Sequence, residues 1–264
     1  MDNKNIKVII LCGGAGTRLK EETEFKPKPL VKIGSKPIIW HIMKIYSHFG
    51  YNDFVLCLGY KGELIKEYFS KYEILNNDFT VTLGIHNNIQ VHNAHSEIGW
   101  KITLVDTGIE TLKGARLKKV EKFIDGDLFL ATYGDGVANI DINKLVDFHK
   151  GHGKIATITG VHPPARFGEL IAEGHEVKAF SEKPQTSYGN INGGFFVFSR
   201  ELFDYLEDKD DCDLEYGALE VLASKKQLMM YNECKFWQCM DNLRDMGLLN
   251  KLWDSGHAPW KVWE

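Results

Sequence analysis

Apolar positions along the chain follow two rhythms. Val8-Ile9-Ile10-Leu11 and Phe54-Val55-Leu56-Cys57-Leu58 are unbroken apolar runs, the pattern of strands buried on both faces of a parallel sheet. Residues 38–49 instead carry apolar side chains at helical spacing and stop at Gly50, a helix-ending glycine. A second helical stretch, 63–72, follows the strand predicted at 53–58. Strand, helix, strand, helix with short joins predicts a doubly wound, Rossmann-like α/β fold. The rhythm weakens over 79–100, then returns as strands at 102–105 and 128–131, a helix at 142–152 and a strand at 156–161. Short strand-like pieces at 177–180 and 194–198 and a helical stretch from Leu202 come next. The tail, 237–253, reads as helical. One catalytic domain over 1–235 with a small helical appendage over 236–264 is the simplest division.

Composition narrows the function more than the fold. The chain has 264 residues, 44% hydrophobic and 26% charged, with a formal net charge of -4. No overall basic field draws it to nucleic acid or to an acidic membrane surface. The apolar run from Val8 to Cys12 is too short for a secretion signal or a membrane span. Five scattered cysteines, Cys12, Cys57, Cys212, Cys234 and Cys239, form no CxxC pair. They suggest neither a disulfide framework nor a zinc site, and a cytoplasmic setting is expected.

Candidate chemistry begins directly after the first strand. Leu11-Cys12-Gly13-Gly14-Ala15-Gly16-Thr17-Arg18 combines backbone able to approach phosphate closely with a guanidinium able to hold two of its oxygens. No Gly-Lys-Ser/Thr follows, and Leu19 stands where a dinucleotide fingerprint would need its third glycine. Lys26-Pro27-Lys28-Pro29 presents two lysines on a segment that proline stiffens into an extended conformation. Asp135 lies between two glycines just past a buried strand, at the sheet edge where such folds bind ligands; Gly-Asp-Gly is equally good turn chemistry. Asp241 suits a helix N-cap as well as a metal ligand. The aromatic end, Trp253, Trp260 and Trp263, fits either a subunit contact or a tail packed on its own domain.

In this order, Gly-Gly-x-Gly-Thr-Arg, Lys-Pro-Lys-Pro and Gly34-Ser35-Lys36-Pro37-Ile38 resemble the sugar-phosphate nucleotidyltransferases. The resemblance continues through Tyr133-Gly134-Asp135-Gly136, Phe167-Gly168, Glu182-Lys183-Pro184, Asn192-Gly193-Gly194-Phe195-Phe196 and Phe236-Trp237-Gln238, and so covers essentially the whole chain. Trp40-His41-Ile42-Met43-Lys44, Gly59-Tyr60-Lys61-Gly62, Met240-Asp241-Asn242-Leu243-Arg244-Asp245 and Ala258-Pro259-Trp260-Lys261 resemble the cytidylyltransferase branch that acts on glucose 1-phosphate. The resemblance implies a nucleotidyltransferase-type fold and transfer of CMP from CTP to a small phosphorylated acceptor, with Mg²⁺ as cofactor. Arg18 and Lys28 would be the catalytic cations. Leu11, Cys12, Gly13, Gly14, Ala15, Gly16, Thr17, Thr107, Arg116 and Gly134 would hold the nucleotide. Asp135 and Asp241 would ligate the metal. Glu169, Glu182, Lys183, Asn192 and Gly193 would meet the acceptor. A homo-oligomer is the expected assembly.

The same resemblance breaks at four places. Lys113-Gly114-Ala115-Arg116 stands where the branch carries Thr-Gly-Gly-Arg. Leu214-Glu215-Tyr216-Gly217-Ala218-Leu219 stands where it carries Trp-Glu-Gln-Glu-Pro-Leu, so one carboxylate suited to sugar hydroxyls is missing. Glu169 replaces a small residue, and Asn190 replaces a large apolar one. These changes put the choice of acceptor in question more than the transfer itself, and an amine-bearing or other non-sugar phosphate stands beside glucose 1-phosphate as an expectation. A non-catalytic nucleotide-binding regulator would have lost Arg18, Lys28 or Asp135, and all three are present.

Overall fold

The computed structural model describes residues 6–84, 88–92, 95, 97–163, 169–173, 175–181 and 189–264. Its centre is a seven-stranded sheet. The strands are β1 (Val8–Cys12), β2 (Asp53–Leu58), β3 (Lys101–Asp106), β4 (Leu128–Tyr133), β5 (Ala156–Val161), β6 (Ile191–Ser199) and β7 (Leu228–Tyr231). Their order across the sheet is β7-β5-β6-β4-β1-β2-β3. Strand β1 pairs in parallel with β2 and β4, and β2 with β3, whereas β6 runs antiparallel to both β4 and β5. The sheet is therefore mixed, with the parallel run β4-β1-β2-β3 that the doubly wound reading expects and β6 antiparallel beside it.

The unbroken apolar runs find their reason in this sheet. Alternate side chains of a strand point to opposite faces, and here both faces are covered. Val8, Ile10, Phe54 and Leu56 pack with Ile38, Ile42 and Tyr46 of helix α1 (Ile38–His48). Ile9, Val55, Cys57 and Phe129 pack on the other face with Leu117, Val120, Phe203 and Leu214. Helix α2 (Gly62–Ser70) follows β2, α3 (Lys113–Lys119) follows β3, and α4 (Ile142–His152) precedes β5. Asp141 caps α4 by accepting from the Lys144 amide, and Gly153 ends it in the left-handed conformation.

Three local expectations change. Lys28 is not part of an extended segment: residues Lys28–Leu30 form a single 3₁₀ turn after an extended Pro27. The stretch from Leu202 lies in a 3₁₀ turn, Arg200–Tyr205, and not an α-helix. In the tail, Phe236–Cys239 is a strand paired antiparallel with Gly136–Asn139, and helix α5 (Leu243–Asp254) begins only afterwards. Among the described residues no helix is long and apolar enough to cross a membrane.

The aromatic end packs on its own chain. Trp260 is fully buried, its indole N–H donates to His41 Nδ1 at 3.4 Å, and Trp253 meets the His41 ring edge-on at 4.6 Å. Burial holds the His41 pKa down at about 4 against its backbone contacts. The neutral ring therefore accepts from Trp260 at Nδ1 and donates from Nε2 to the Ile33 carbonyl at 3.0 Å. Trp260→Ala is expected to cost about 3–5 kcal/mol of stability, read as a clear fall in thermal midpoint. An unchanged midpoint would show that the tail adds nothing to the fold.

Candidate active site

The site is assembled from residues that follow the carboxyl ends of neighbouring strands, where open α/β sheets bind ligands. After β1 the chain enters the glycine loop. Gly13 has no room for a side chain: a Cβ there would lie 2.0 Å from the Arg116 guanidinium. Gly16 has φ +64°, which an L side chain rarely adopts, and leads into the 3₁₀ turn Thr17–Leu19. Thr23 anchors the turn by donating to the Gly16 carbonyl at 3.1 Å. The side chains of Leu11 and Cys12 belong to the core, and burial pushes the Cys12 thiol well above its usual range.

Arg116, on α3, is only 4% exposed. Its Nη1 donates to the carbonyls of Leu58 and Gly108 and to Thr107 Oγ1, and its Nη2 to the carbonyls of Gly13 and Ile109, all between 2.7 and 3.3 Å. Thr107 completes the scaffold by donating to the Leu58 carbonyl at 2.6 Å. One guanidinium thus ties together the loops after β1, β2 and β3. Both residues expected on the nucleotide form the frame behind the glycine loop, and Arg116 also reaches the cavity wall.

Lys28, Arg18, Asp135 and Asp241 form one ion cluster. Lys28 Nζ lies 2.7 Å from Asp135 Oδ2 and 2.6 Å from Asp241 Oδ1, and Arg18 Nη1 lies 2.7 Å from Asp241 Oδ2. The two cations differ in setting: the Lys28 side chain is 10% exposed and that of Arg18 74%. Burial alone would lower the Lys28 pKa, but Asp135 and Asp241 outweigh it and raise it. Burial likewise opposes ionisation of Asp241, and Lys28 with Arg18 overcomes it and holds that carboxyl below its usual value.

Each carboxylate is placed by its own local structure. Asp135 sits in the turn after β4, and its carbonyl accepts from the Met240 amide at 2.8 Å. The cap of α5 is Asn242, which accepts from the Asp245 amide. Asp241, one residue earlier, faces the cluster instead. Two carboxylates meeting at one ammonium are a hard-oxygen pair suited to a divalent cation of the Mg²⁺ type. No group of three or more His, Cys, Asp or Glu converges among the described residues.

A cavity of about 570 Å³ opens beside the cluster, lined by residues 11–18, 28–29, 109–113, 116 and 133–135. Every residue expected to hold nucleotide except Thr107 borders it. Of the residues expected to meet the acceptor, Asn192 donates to the Tyr133 hydroxyl at 2.8 Å and accepts from the Gly194 amide, and the Gly193 carbonyl accepts from the Trp237 indole at 2.7 Å. Glu169 opens the strand Glu169–Glu173. Glu182 and Lys183, with Phe167 and Gly168, lie outside the described residues. Sequence reasoning missed Lys113, Tyr133 and Glu215 as a unit. Tyr133 donates to Glu215 Oε1, and Lys113 Nζ lies 2.6 Å from the same oxygen. Tyr133 stands in a quoted motif, but no local spacing links it to the other two.

Known proteins share both the sequence and this architecture. The Nucleotidyl transferase family matches residues 7–258. The glucose-1-phosphate cytidylyltransferase of Salmonella typhi is 49% identical over 260 residues, covering 98% of this chain and 100% of the relative. A probable glucose-1-phosphate cytidylyltransferase of Bacillus subtilis (strain 168) is 44% identical over 258 residues, again covering 98% and 100%. The solved structure of HddC from Yersinia pseudotuberculosis matches with a TM-score of 0.65 at 22% identity, over 94% of this chain and 99% of that one, and shares the fold. Full-length similarity of this degree leaves one assignment: the chain is an enzyme of the nucleotidyl transferase family.

Proposed function

We propose that the protein transfers CMP from CTP to a sugar phosphate and releases pyrophosphate. The observation that carries this reading is the cluster of Lys28, Arg18, Asp135 and Asp241 at the mouth of a glycine-walled cavity. The preference for cytosine and for a sugar phosphate is supported by the 49% and 44% identical relatives over their whole lengths. An acceptor phosphate oxygen attacks the α-phosphorus, a new P–O bond forms, and the bond to the β-phosphate bridge breaks with its electron pair leaving on pyrophosphate. A phosphate oxygen is already an adequate nucleophile, so the chain needs to supply positioning and charge more than a general base. The glycine loop offers close-approaching backbone to the triphosphate, and Arg18 and Lys28 offer cations. A divalent metal, Mg²⁺ in this reading, would be held by Asp135 and Asp241 and would neutralise phosphate charge.

The test is pyrophosphate release with CTP, UTP, dTTP and GTP against glucose 1-phosphate, inositol 1-phosphate and phosphocholine, with and without Mg²⁺. CTP with a sugar phosphate and metal is expected to be the best combination. A protein that prefers another nucleotide, or phosphocholine as acceptor, would contradict this reading.

A further inference from the structure

Besides Arg116, whose guanidinium is taken up by backbone carbonyls, the cavity wall carries one more cation outside the ion cluster. Lys113, at the start of α3, borders the cavity and is 42% exposed. It is held in place from two sides. Its ammonium lies 2.6 Å from Glu215 Oε1 and 5.3 Å from the centroid of the Tyr133 ring. Tyr133 donates its hydroxyl to that same Glu215 oxygen and accepts from Asn192, so four side chains from four separate segments form one chain. Glu215 Oε2 is buried and takes no hydrogen bond among the described residues. Both donors therefore crowd on one oxygen while the other is left unsatisfied.

We propose that Lys113, presented by Glu215 and the Tyr133 ring, binds hydroxyl oxygens of the acceptor and thereby determines which phosphorylated acceptor is used. The proposal rests on the cytidylyl-transfer reading. Two features place Lys113 with the acceptor and not the triphosphate. The phosphate-facing cations, Arg18 and Lys28, are already gathered at Asp135 and Asp241, whereas Lys113 is tied through Tyr133 to Asn192. An ammonium in this position accommodates a polyhydroxylated acceptor and repels one bearing its own ammonium group. The half-exposed ion pair adds little to stability, so its removal leaves a folded protein to assay.

The experiment compares unmodified protein with Lys113→Met, Lys113→Arg and Glu215→Gln, using CTP, Mg²⁺, glucose 1-phosphate and phosphocholine. Lys113→Met is expected to raise the KM for glucose 1-phosphate about tenfold or more and to narrow its advantage over phosphocholine to a similar degree. The KM for CTP stays within about twofold, since the phosphate cations are untouched. Lys113→Arg keeps most of the discrimination, and Glu215→Gln, which acts through Lys113, loses part of it. An unchanged acceptor KM in Lys113→Met, or a rise confined to the KM for CTP, overturns the proposal while leaving cytidylyl transfer intact. Unmodified protein that uses no sugar phosphate overturns both, and that is known before any variant is made.

Discussion

Lys28→Ala is expected to lower kcat by about two to three orders of magnitude, the usual consequence of removing a group that stabilises developing charge. The KM for CTP is expected to change less, because in the proposed site Arg18 and the glycine loop would still meet the triphosphate. The expectation follows from the position of the Lys28 ammonium, nearly buried and within 2.7 Å of both Asp135 and Asp241. Such a cation is already desolvated and aimed, so its full charge acts when the transferring phosphoryl group is most in need of it. Steady-state kinetics with correctly folded variant checks it, and retention of more than about a tenth of the turnover would remove Lys28 from the catalytic set.

The same cluster sets a pH expectation. The Asp241 carboxyl titrates below its ordinary 3.8 in the folded protein, so its contribution to stability is present above that pH and is lost as pH falls through the lowered value. The Lys28 ammonium titrates above its ordinary 10.5, so its contribution is complete below that pH and is lost as pH rises through the raised value. Between these limits the charges of Lys28 and Asp241 are constant. A change in activity near neutral pH is then expected to follow the ionisation of the acceptor phosphate and not of these two groups.

Arg116→Ala has the second large effect, and it is one of stability before chemistry. The guanidinium satisfies the carbonyls of Gly13, Leu58, Gly108 and Ile109 together with the Thr107 hydroxyl. Its removal strands buried acceptors at about 1–3 kcal/mol for each one that water does not reach. A total loss of about 3 kcal/mol or more is expected, which for a chain of this size is a fall of about 6–12 °C in thermal midpoint. The glycine loop loses its backing as well, so the KM for CTP rises in the folded fraction. Arg116→Lys recovers only part of either property, since a single ammonium does not span three loops. A variant with normal melting and a raised KM for CTP would show instead that Arg116 serves the nucleotide directly.

The parts of the fold that were legible are those whose burial leaves a rhythm in the chain. Strands β1 and β2 are covered on both faces and read as solid apolar runs, and α4 shows its apolar period. Helix α3 left no such trace. Its sequence, Lys113-Gly114-Ala115-Arg116-Leu117-Lys118-Lys119, is short and largely basic. It is fixed by tertiary contacts, with Gly114 tight against the Cys212 carbonyl and Arg116 reaching into three loops. In the tail, Trp237 and Gln238 are drawn into a strand by pairing with Gly136–Asn139, a partner distant in sequence that periodicity does not register.

The site divides along the same line. The glycine loop, Lys28 and Asp135 stand in compact motifs, each interpretable from its neighbours. Asp241 reads as a cap or as a metal ligand; the structure gives the cap to Asn242 and pairs Asp241 with Lys28 and Arg18. Arg116 was marked for the nucleotide, and only the folded chain reveals how many carbonyls it holds. The Lys113–Glu215–Tyr133 group depends on segments that meet only in three dimensions, so neither composition nor spacing announces it.

The proposed transfer requires one location for the nucleotide, and a crystal structure with a non-hydrolysable CTP analogue and Mg²⁺ tests it most directly. The triphosphate is expected against residues 13–18, with Arg18 and Lys28 on its oxygens and the metal between phosphate, Asp135 and Asp241. Density for the analogue elsewhere, or a metal bound without either aspartate, would contradict the central assignment.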